Sequence, residues 1–217
     1  MKRGHGDPWG VEGAYDAIAP DWAASRGAPW DAVRRFLREV PQGARVLDVG
    51  AGSARYAAIE ESRGLRWVAV DFSRELLRIR RREEGPPISL VRADARSLPL
   101  RDASTEVGLL VAVLHHLPTE KDRQGALREV RRALKPGSPL MASAWSVTAP
   151  AHRNTRPAPG GGERDFIISF SRASGAPVDR FFHLYEKGEL AKEVRSAGFQ
   201  GVREWAEADN HFVKATS

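Results

Sequence analysis

The chain has 217 residues, with 34 Lys or Arg against 28 Asp or Glu, so its formal net charge is +6. This length corresponds to one ordinary domain, or to one domain with a modest appendage. The absence of Cys excludes disulfide frameworks, thiolate metal sites and cysteine nucleophiles. No stretch approaches the roughly 18 consecutive apolar residues of a membrane span, so we expect a soluble protein that makes no membrane contact. No apolar core follows Lys2-Arg3, which argues against a secretory signal and favours a cytoplasmic location.

Arginine accounts for most of the basic residues, since Lys contributes only six of the 34. A planar guanidinium suits bidentate contacts with phosphate or carboxylate, which would fit a nucleic-acid partner. Genome composition or growth at high temperature produces the same bias. Charge alone therefore leaves the partner open.

The first 44 residues are expected to form a helical extension in front of the main domain, which we place at 45–217. Pro29 favours the start of a helix, because its fixed φ suits the first turn. Trp30–Val40 then repeats apolar residues at helical spacing, and one face carries Val33, Phe36, Leu37 and Val40.

From Arg45 onward, short apolar runs alternate with amphipathic segments, which is typical of a doubly wound parallel sheet. The runs that we take as strands are Arg45–Val49, Arg66–Val70, Ile88–Arg92, Val107–Val113 and Leu140–Trp145. The segments that we take as helices are Ala54–Ser62, Arg74–Glu84 and Glu120–Leu134, with Ser73 and Thr119 as expected N-caps. The pattern predicts a single α/β domain.

The remainder of the chain changes in composition. Arg153–Ala176 is rich in Pro, Gly, Ser and Arg, which favours a loop or a mobile lid, and we place a loop region at 150–180. Beyond it we expect an aromatic segment, a helix and an antiparallel hairpin closing the sheet. Their predicted ranges are Phe181–Tyr185, Glu186–Ala197, and the hairpin strands Gly201–Trp205 and His211–Ala215. The hairpin brings the number of strands to seven.

Acidic residues end three successive predicted strands. Asp48 lies two positions before Gly50 in a strand–glycine–helix pattern, where bare backbone lets a ligand approach closely. Asp71 ends the next strand, at the position that binds ribose hydroxyls in nucleotide-binding α/β folds. Asp94 follows the third strand and is expected to meet an adenine amino group. Each acid alone is well explained as a helix cap or loop acid, but three at successive strand ends favour a nucleotide site.

Four segments resemble, in order, the motifs of class I S-adenosylmethionine-dependent methyltransferases. They are Asp48–Gly52, Asp71, Asp94-Ala95 and Ala133–Gly137. The resemblance implies S-adenosylmethionine as cofactor and a seven-stranded, mostly parallel sheet of order 3-2-1-4-5-7-6 with strand 7 antiparallel. It also accounts for Ala54 in place of a dinucleotide-binding loop's third glycine, because this cofactor has no pyrophosphate. The cofactor-binding residues that it implies are Asp48, Gly50, Ala51, Gly52, Tyr56, Asp71, Phe72, Asp94, Ala95, Ala112 and His115.

Further segments resemble the tRNA wobble-uridine carboxyl-methyltransferases, which esterify 5-carboxymethyluridine in the anticodon loop. The similar segments are Tyr15–Pro20, Ser25-Arg26, Pro29-Trp30, Ala112–Leu117, Ala144-Trp145, Asp165–Ile168 and Arg180–Tyr185. The resemblance implies tRNA as substrate, with the extension 1–44 and the loop 150–180 on the substrate side. Eukaryotic members work with a small zinc-binding activator subunit, which implies a similar partner on the edge strand Ile88–Arg92.

A carboxylate is ionised at neutral pH, so its methylation requires no general base. Arginine holds such a group through two parallel hydrogen bonds, and we expect Arg26, Arg180 or both to do so. His116 and His183 are the other catalytic candidates, although His183 is equally consistent with a buried structural histidine. No metal ligands are assigned. Three tryptophans are candidates for stacking on a flipped base, or else for the core: Trp22, Trp30 and Trp145.

Three alternatives remain open from the sequence. A small-molecule methyltransferase of the quinone or metabolite type often has paired histidines after strand 4 as well, and binding of bulk tRNA in low salt discriminates it. A noncatalytic cofactor- or RNA-binding module is disfavoured because the cofactor motifs are intact, and titration with S-adenosylmethionine decides it. A nicotinamide dehydrogenase is disfavoured by Ala54 at the third glycine position.

Overall fold

The computed structural model describes residues 9–59, 64–148 and 155–217. Its main sheet has seven strands in the order β3-β2-β1-β4-β5-β10-β9. The first five pair in parallel, whereas β10 runs antiparallel to both of its neighbours. The strands are β1 (Arg45–Val49), β2 (Arg66–Asp71), β3 (Ile88–Arg92), β4 (Val107–Val111), β5 (Pro139–Trp145), β9 (Gln200–Glu207) and β10 (Asn210–Thr216). This order confirms the predicted class I methyltransferase topology.

The helices follow the alternation predicted from the sequence. They are α1 (Val11–Ala24), α2 (Asp31–Arg38), α3 (Arg55–Ile59), α4 (Arg74–Arg82), α5 (Glu120–Ala133) and α6 (Glu189–Ser196). Ser73 and Thr119 are the N-caps of α4 and α5, and their hydroxyls accept the N–H groups of Leu76 and Asp122. Two large apolar clusters form the core, one on each face of the sheet's buried strands. None of the helices in the described part of the chain has both the length and the apolar character needed to span a bilayer.

The closing hairpin has a tight two-residue turn. Ala208 and Asp209 both adopt left-handed backbone conformations, with φ of 47° and 64°. Such turns match the right-handed twist of the flanking strands. The predicted hairpin is therefore confirmed, and its strands extend to the turn on both sides.

A second sheet, of order β6-β7-β8, lies in the segment for which the sequence predicted a loop. Its strands are β6 (Thr155–Pro157), β7 (Asp165–Phe170) and β8 (Val178–His183). The expectation of a loop across Arg153–Ala176 was therefore wrong for β6 and β7, while 153 and 154 lie outside the described residues. Pro159 and Gly160–Gly162 lie in the turn before β7. The short apolar run of β7 pairs with β8, and Ile167 and Ile168 are buried there.

Helix α1 packs on the N-terminal end of α4, beside the carboxyl ends of the central strands. Asp16 fixes this contact, because one of its carboxylate oxygens accepts the Ser73 hydroxyl at 2.6 Å and the Glu75 N–H at 3.1 Å. Tyr15 and Ile18 are buried in the interface. The helix therefore covers the edge of the sheet at which α/β folds bind their ligands.

Candidate active site

A cavity of about 430 Å³ opens at the carboxyl ends of β1, β2 and β4 and continues beneath α1. Three of the four motifs that resemble the methyltransferase family contribute residues to its wall, whereas Ala133–Gly137 contributes none. The predicted residues in the wall are Gly50, Gly52, Asp71, Phe72, Asp94, Ala95, Ala112 and His116. Helix α1 adds Tyr15 and Trp22. The cavity is large enough for a nucleoside-sized ligand.

Gly50 and Gly52 are required by the local geometry. Both have left-handed φ values, of 70° and 58°. A Cβ on Gly50 would lie 2.2 Å from a Val113 methyl carbon, and one on Gly52 would lie 2.9 Å from the Trp22 ring. The two glycines thus let β4 and α1 close on the turn after β1, which shapes the cavity wall.

Asp71 combines a structural task with a position in the cavity wall. Its two carboxylate oxygens accept the Gly52 N–H at 2.7 Å and the Ser73 N–H at 2.8 Å. Burial raises the pKa of Asp71 to about 6, and the hydrogen bonds from Ser73 and Gly52 oppose that increase. Each oxygen has a second lone pair, so the carboxylate can also accept ribose hydroxyls.

Asp48 lies behind the cavity, since it lines neither this cavity nor the neighbouring one. Its side chain is 2% exposed, and its Oδ2 atom has no hydrogen-bond partner within the described residues. Burial, together with the charge of Asp71, raises the pKa of Asp48 to about 7. A buried acceptor without a donor is costly, so the site favours a ligand that supplies a donor or a positive charge.

Asp94 lies in the cavity wall, and its carboxylate forms an ion pair with Arg96. Arg96 contacts both of its carboxylate oxygens, with Nη2 at 2.6 Å from Oδ2, and also binds Asp122 at 2.9 Å. The ion pair fixes the orientation of the Asp94 carboxylate next to Ala95. A contact between Asp94 and an adenine amino group remains a prediction, and this orientation is compatible with it.

A second, smaller cavity of about 50 Å³ adjoins the first and shares with it Tyr15, Trp22, Gly50, Ala112 and His116. Three arginines line it, namely Arg26, Arg55 and Arg180. The other predicted site residues in its wall are Ala51, Tyr56 and His115. Among the residues that the structure describes, its lining includes no Asp or Glu. The cavity therefore has the charge of an anion site, immediately beside the larger cavity.

Aromatic rings hold these arginines. The Arg26 guanidinium lies 3.8 Å from the Trp22 ring centroid, and that of Arg180 lies 5.0 Å from the Phe182 centroid. Arg180 is buried, and its Nε atom has no acceptor among the described residues. Burial lowers the pKa of Arg26 to about 10, so this side chain is still cationic at neutral pH. Within the described part of the chain, most of the guanidinium donors of Arg26, Arg55 and Arg180 have no protein acceptor, so they can bind a ligand.

His116 belongs to a hydrogen-bonded chain whose donors can be assigned. The carbonyl of Phe181 can only accept, so His116 Nδ1, at 3.0 Å, carries the proton. Burial lowers the pKa of His116 to about 3, so Nε2 is unprotonated and accepts the Tyr15 hydroxyl at 2.8 Å. Arg180 in turn donates to the Tyr15 oxygen at 3.2 Å. Neutral His116 therefore orients Tyr15, and Tyr15 orients Arg180.

His115 and Trp145 complete the wall of the smaller cavity. The His115 ring stacks on Phe182 with centroids 5.1 Å apart, and its Nδ1 atom accepts the Trp145 backbone N–H at 3.3 Å. Trp145 also stacks on Phe182. Trp22 and Trp145 thus line the cavity, whereas Trp30 packs edge-on against Phe212 in the core.

His183 lies outside both cavities. Its Nδ1 and Nε2 atoms are 2.7 Å and 3.0 Å from carboxylate oxygens of Asp165 and Glu189. Glu189 also forms an ion pair with Arg164. Burial alone would raise the pKa of Glu189, but its hydrogen bonds outweigh that effect and lower the pKa to about 2. This cluster joins β7 and β8 to α6. His183 is therefore a buried structural histidine, which is the alternative role that the sequence left open.

The site also contains residues that the sequence did not assign to it. Arg55 and Tyr15 are the main ones, because they contribute a cation and the central hydroxyl of the hydrogen-bonded chain. Arg55 is the first residue of α3, directly after the glycine turn. This position next to the predicted cofactor loop was the sequence feature that could have indicated a place in the site. Tyr15 is 165 residues from Arg180 along the chain, so only the fold reveals their contact.

Comparison with known proteins agrees with this geometry. A family model described as "Methyltransferase domain" matches residues 47–142. A relative from Encephalitozoon cuniculi, named "Putative methyltransferase ECU09_1500", is 32% identical over 92% of this chain and 91% of its own length. A tRNA (carboxymethyluridine(34)-5-O)-methyltransferase of Arabidopsis thaliana is 35% identical over 63% of this chain, which corresponds to 33% of that protein. The Schizosaccharomyces pombe protein of the same name is 26% identical over 94% of this chain and 95% of its own length.

Solved structures share the fold. A S-adenosylmethionine-dependent methyltransferase from Methanosarcina mazei superposes with a TM-score of 0.70 over 88% of this chain and 99% of its own, at 20% identity. A chain from a Haloferax volcanii complex of the Trm112 activator with a methyltransferase gives 0.69 over 93% and 96%, at 17% identity. The fold and the glycine-bounded cavity define a class I methyltransferase. The chain belongs to the S-adenosylmethionine-dependent methyltransferase family, and S-adenosylmethionine is its cofactor.

Proposed function

We propose that this enzyme methylates a carboxylate on a tRNA nucleoside, most specifically that of 5-carboxymethyluridine at the wobble position. The observation that carries the proposal is the smaller cavity, where Arg26, Arg55 and Arg180 meet and no described residue of the lining is acidic. A carboxylate nucleophile must be bound as an anion beside the methyl donor. The two cavities share five residues, so an anion held by the arginines lies next to the larger cavity.

The larger cavity fits the cofactor. Asp71 is placed to accept ribose hydroxyls, Asp94 and Ala95 flank the expected adenine position, and the orphaned Asp48 oxygen favours a cationic ligand nearby. When bound, S-adenosylmethionine supplies a methyl carbon on a sulfonium, which the nucleophile takes while the bonding electron pair stays on sulfur. The protein's task is then to bind and align, since no proton moves.

The state of His116 agrees with a reaction that needs no base. Its Nδ1 proton is bound to the Phe181 carbonyl, and its free nitrogen accepts the Tyr15 hydroxyl. A hydroxyl or amine nucleophile would require a proton acceptor. A carboxylate does not, and here the Tyr15–His116 pair would align Arg180 with the substrate oxygen. His116 and Tyr15 are thus positioning residues, while Arg26 and Arg180 contact the substrate.

A tRNA substrate is supported by the names of two relatives and by the net charge of +6. Polyanionic RNA is attracted to a basic protein by release of its counterions. Trp22 and Trp145 line the smaller cavity and offer flat surfaces on which an extruded base can stack.

A small activator subunit is part of the proposal. Strand β3 is one edge of the main sheet, so its outer backbone groups are available to pair with another chain. The similarity to a chain from the Haloferax volcanii activator complex supports such a partner. The resembled family further suggests that this activator binds zinc.

Incubation with radiolabelled S-adenosylmethionine and total tRNA tests the proposed function. We expect label in a nucleoside whose mass matches the methyl ester of 5-carboxymethyluridine and whose label is released by mild alkali. Alkali-stable label would indicate a different nucleophile and contradict the proposal. Label transferred only to small carboxylic acids, with none in RNA, would instead identify a small-molecule methyltransferase.

A further inference from the structure

Arg55 gives the smaller cavity a third positive charge. It begins α3, and its Nη2 atom donates to the Tyr56 hydroxyl at 2.9 Å. Its guanidinium carbon lies 4.8 Å from the Tyr56 ring centroid and 5.3 Å from that of Trp30. Two aromatic rings therefore hold this cation at the cavity.

The positive charge of the cavity is not balanced by its own wall. Arg26 has no side-chain hydrogen bond within the described residues, and Arg180 has one, to Tyr15. Asp48 is the nearby acid that interacts with Arg55, but burial raises its pKa to about 7, so it is only partly ionised at neutral pH. As far as residues 9–59, 64–148 and 155–217 are concerned, the three guanidinium groups thus lack a full counter-charge until an anion binds.

Methylation removes the charge that these arginines bind. The reaction forms an oxygen–carbon bond, breaks a sulfur–carbon bond and turns a carboxylate anion into a neutral ester. Resting on the function proposed above, we propose that Arg55, with Arg26 and Arg180, makes this cavity a charge filter, meaning that it binds the carboxylate substrate and expels the neutral ester product. Arg55 is then a specificity-determining residue, and loss of the carboxylate charge drives product release.

The filter predicts discrimination between molecules of nearly the same shape. An ester or a carboxamide offers neutral acceptors to the guanidinium groups, whereas a carboxylate forms charge-assisted hydrogen bonds. The difference per contact corresponds to roughly a 10- to 100-fold change in affinity. Carboxamide nucleosides should therefore be excluded together with the product.

Equilibrium binding of three anticodon stem-loops tests the filter. They differ only in the wobble uridine, which carries a carboxymethyl group, its methyl ester or its carboxamide, and each is titrated at saturating S-adenosylhomocysteine. We expect the acid to bind the unsubstituted enzyme roughly 10- to 100-fold more tightly than either neutral RNA. Arg55→Gln should reduce that ratio by roughly tenfold and leave the affinity for the ester nearly unchanged, while Arg55→Lys should retain most of the ratio.

Arg38→Gln is the matched control, because Arg38 is an exposed arginine at the end of α2 that lines neither cavity. It should change the affinities for all three RNAs by the same factor. An acid-to-ester ratio near one in an enzyme that methylates the acid RNA would overturn the filter. A ratio that is unaffected by Arg55→Gln would remove Arg55 from it.

A measurement without RNA tests the charge filter independently of the proposed RNA substrate. Acetate, but not acetamide, should slow modification of Arg55 by phenylglyoxal, as followed by mass spectrometry of the Arg55 peptide. Equal rates in acetate and acetamide overturn the filter, whatever the substrate. Acetate protection in an enzyme that fails to methylate carboxyl-bearing RNA would refute the proposed substrate and support the anion site.

Discussion

Asp71 is the residue at which we expect cofactor binding and local folding to depend on the same carboxylate. Because it accepts the Gly52 and Ser73 N–H groups, replacement by Ala would leave two buried donors unpaired. Asp71→Asn keeps an acceptor but removes the charge, and we expect the affinity for S-adenosylmethionine to fall by roughly 10- to 100-fold. Calorimetric titration measures the affinity, with thermal unfolding as the check on folding. An unchanged affinity in folded Asp71→Asn would show that Asp71 does not bind the cofactor.

Asp48 predicts how the stability of the ligand-free enzyme depends on pH. Its pKa in the folded state, about 7, lies above the usual carboxyl value of 3.8, so the folded protein holds a proton that the unfolded chain releases. Stability is therefore greatest below about pH 4 as far as this group is concerned, and is lost as the pH rises toward 7. Asp48→Asn should reduce this loss between pH 4 and 7 and raise the melting temperature at pH 8. Parallel melting curves of the two proteins across that range would contradict the assignment.

At the residue scale, the sequence predicted the cofactor side better than the substrate side. Asp71, Asp94 and the glycines follow strands whose ends must meet, so their spacing along the chain determines their neighbourhood. Arg180, by contrast, is held by the hydroxyl of Tyr15 on α1, 165 residues away along the chain. A contact between residues so far apart leaves no pattern in the local sequence. Arg180 was therefore predicted only through the family resemblance.

At the scale of elements, α1 is the helix that joins the two cavities. It contributes Tyr15 and Trp22 to both walls, and Asp16 anchors it to α4. Asp16→Ala should destabilise the fold by about 1–2 kcal/mol, because it removes a half-buried hydrogen-bond acceptor at the start of α4. We also expect weaker cofactor binding and faster amide exchange across Val11–Ala24, measured by mass spectrometry. Glu39→Gln, which breaks an exposed pair with Lys214, is the control and should leave both unchanged.

The helices and strands of the main sheet follow their sequence patterns closely, whereas the small sheet does not. The alternation of apolar runs and amphipathic segments repeats through β5, so each element supports the assignment of the next. In the small sheet, β6 has only three residues, and the segments between the strands contain Pro and Gly. Pairing with the aromatic strand β8, a tertiary contact, stabilises β7 despite that composition.

At the scale of the whole molecule, the edge of the main sheet leads to a prediction about assembly. Leu90 and Val91 on β3 are partly buried apolar residues on an edge strand, and Pro86-Pro87 limit pairing at one end. We expect a small activator protein to pair with β3, so that co-expression increases both the yield of folded enzyme and its methyl transfer to tRNA. Co-purification and activity assays measure this. Full activity and stability of the enzyme alone would contradict it.

If the substrate is RNA as proposed, we expect buried arginines at the smaller cavity to recognise the carboxylate and exposed arginines to contact the RNA backbone. Arg180 is buried at the smaller cavity, so its loss should weaken binding of the carboxylate rather than contacts with the RNA backbone. Arg180→Gln should lower kcat/KM on carboxymethyl-bearing tRNA by about 2–4 kcal/mol of transition-state stabilisation. The salt dependence of tRNA binding should stay nearly unchanged, whereas an exposed arginine that contacts phosphate would reduce the slope by about one on removal. Kinetics and binding at several salt concentrations measure both quantities. A reduced slope with unchanged turnover at saturation would make Arg180 a phosphate contact, and the carboxylate would then have to be bound by Arg26 and Arg55 alone.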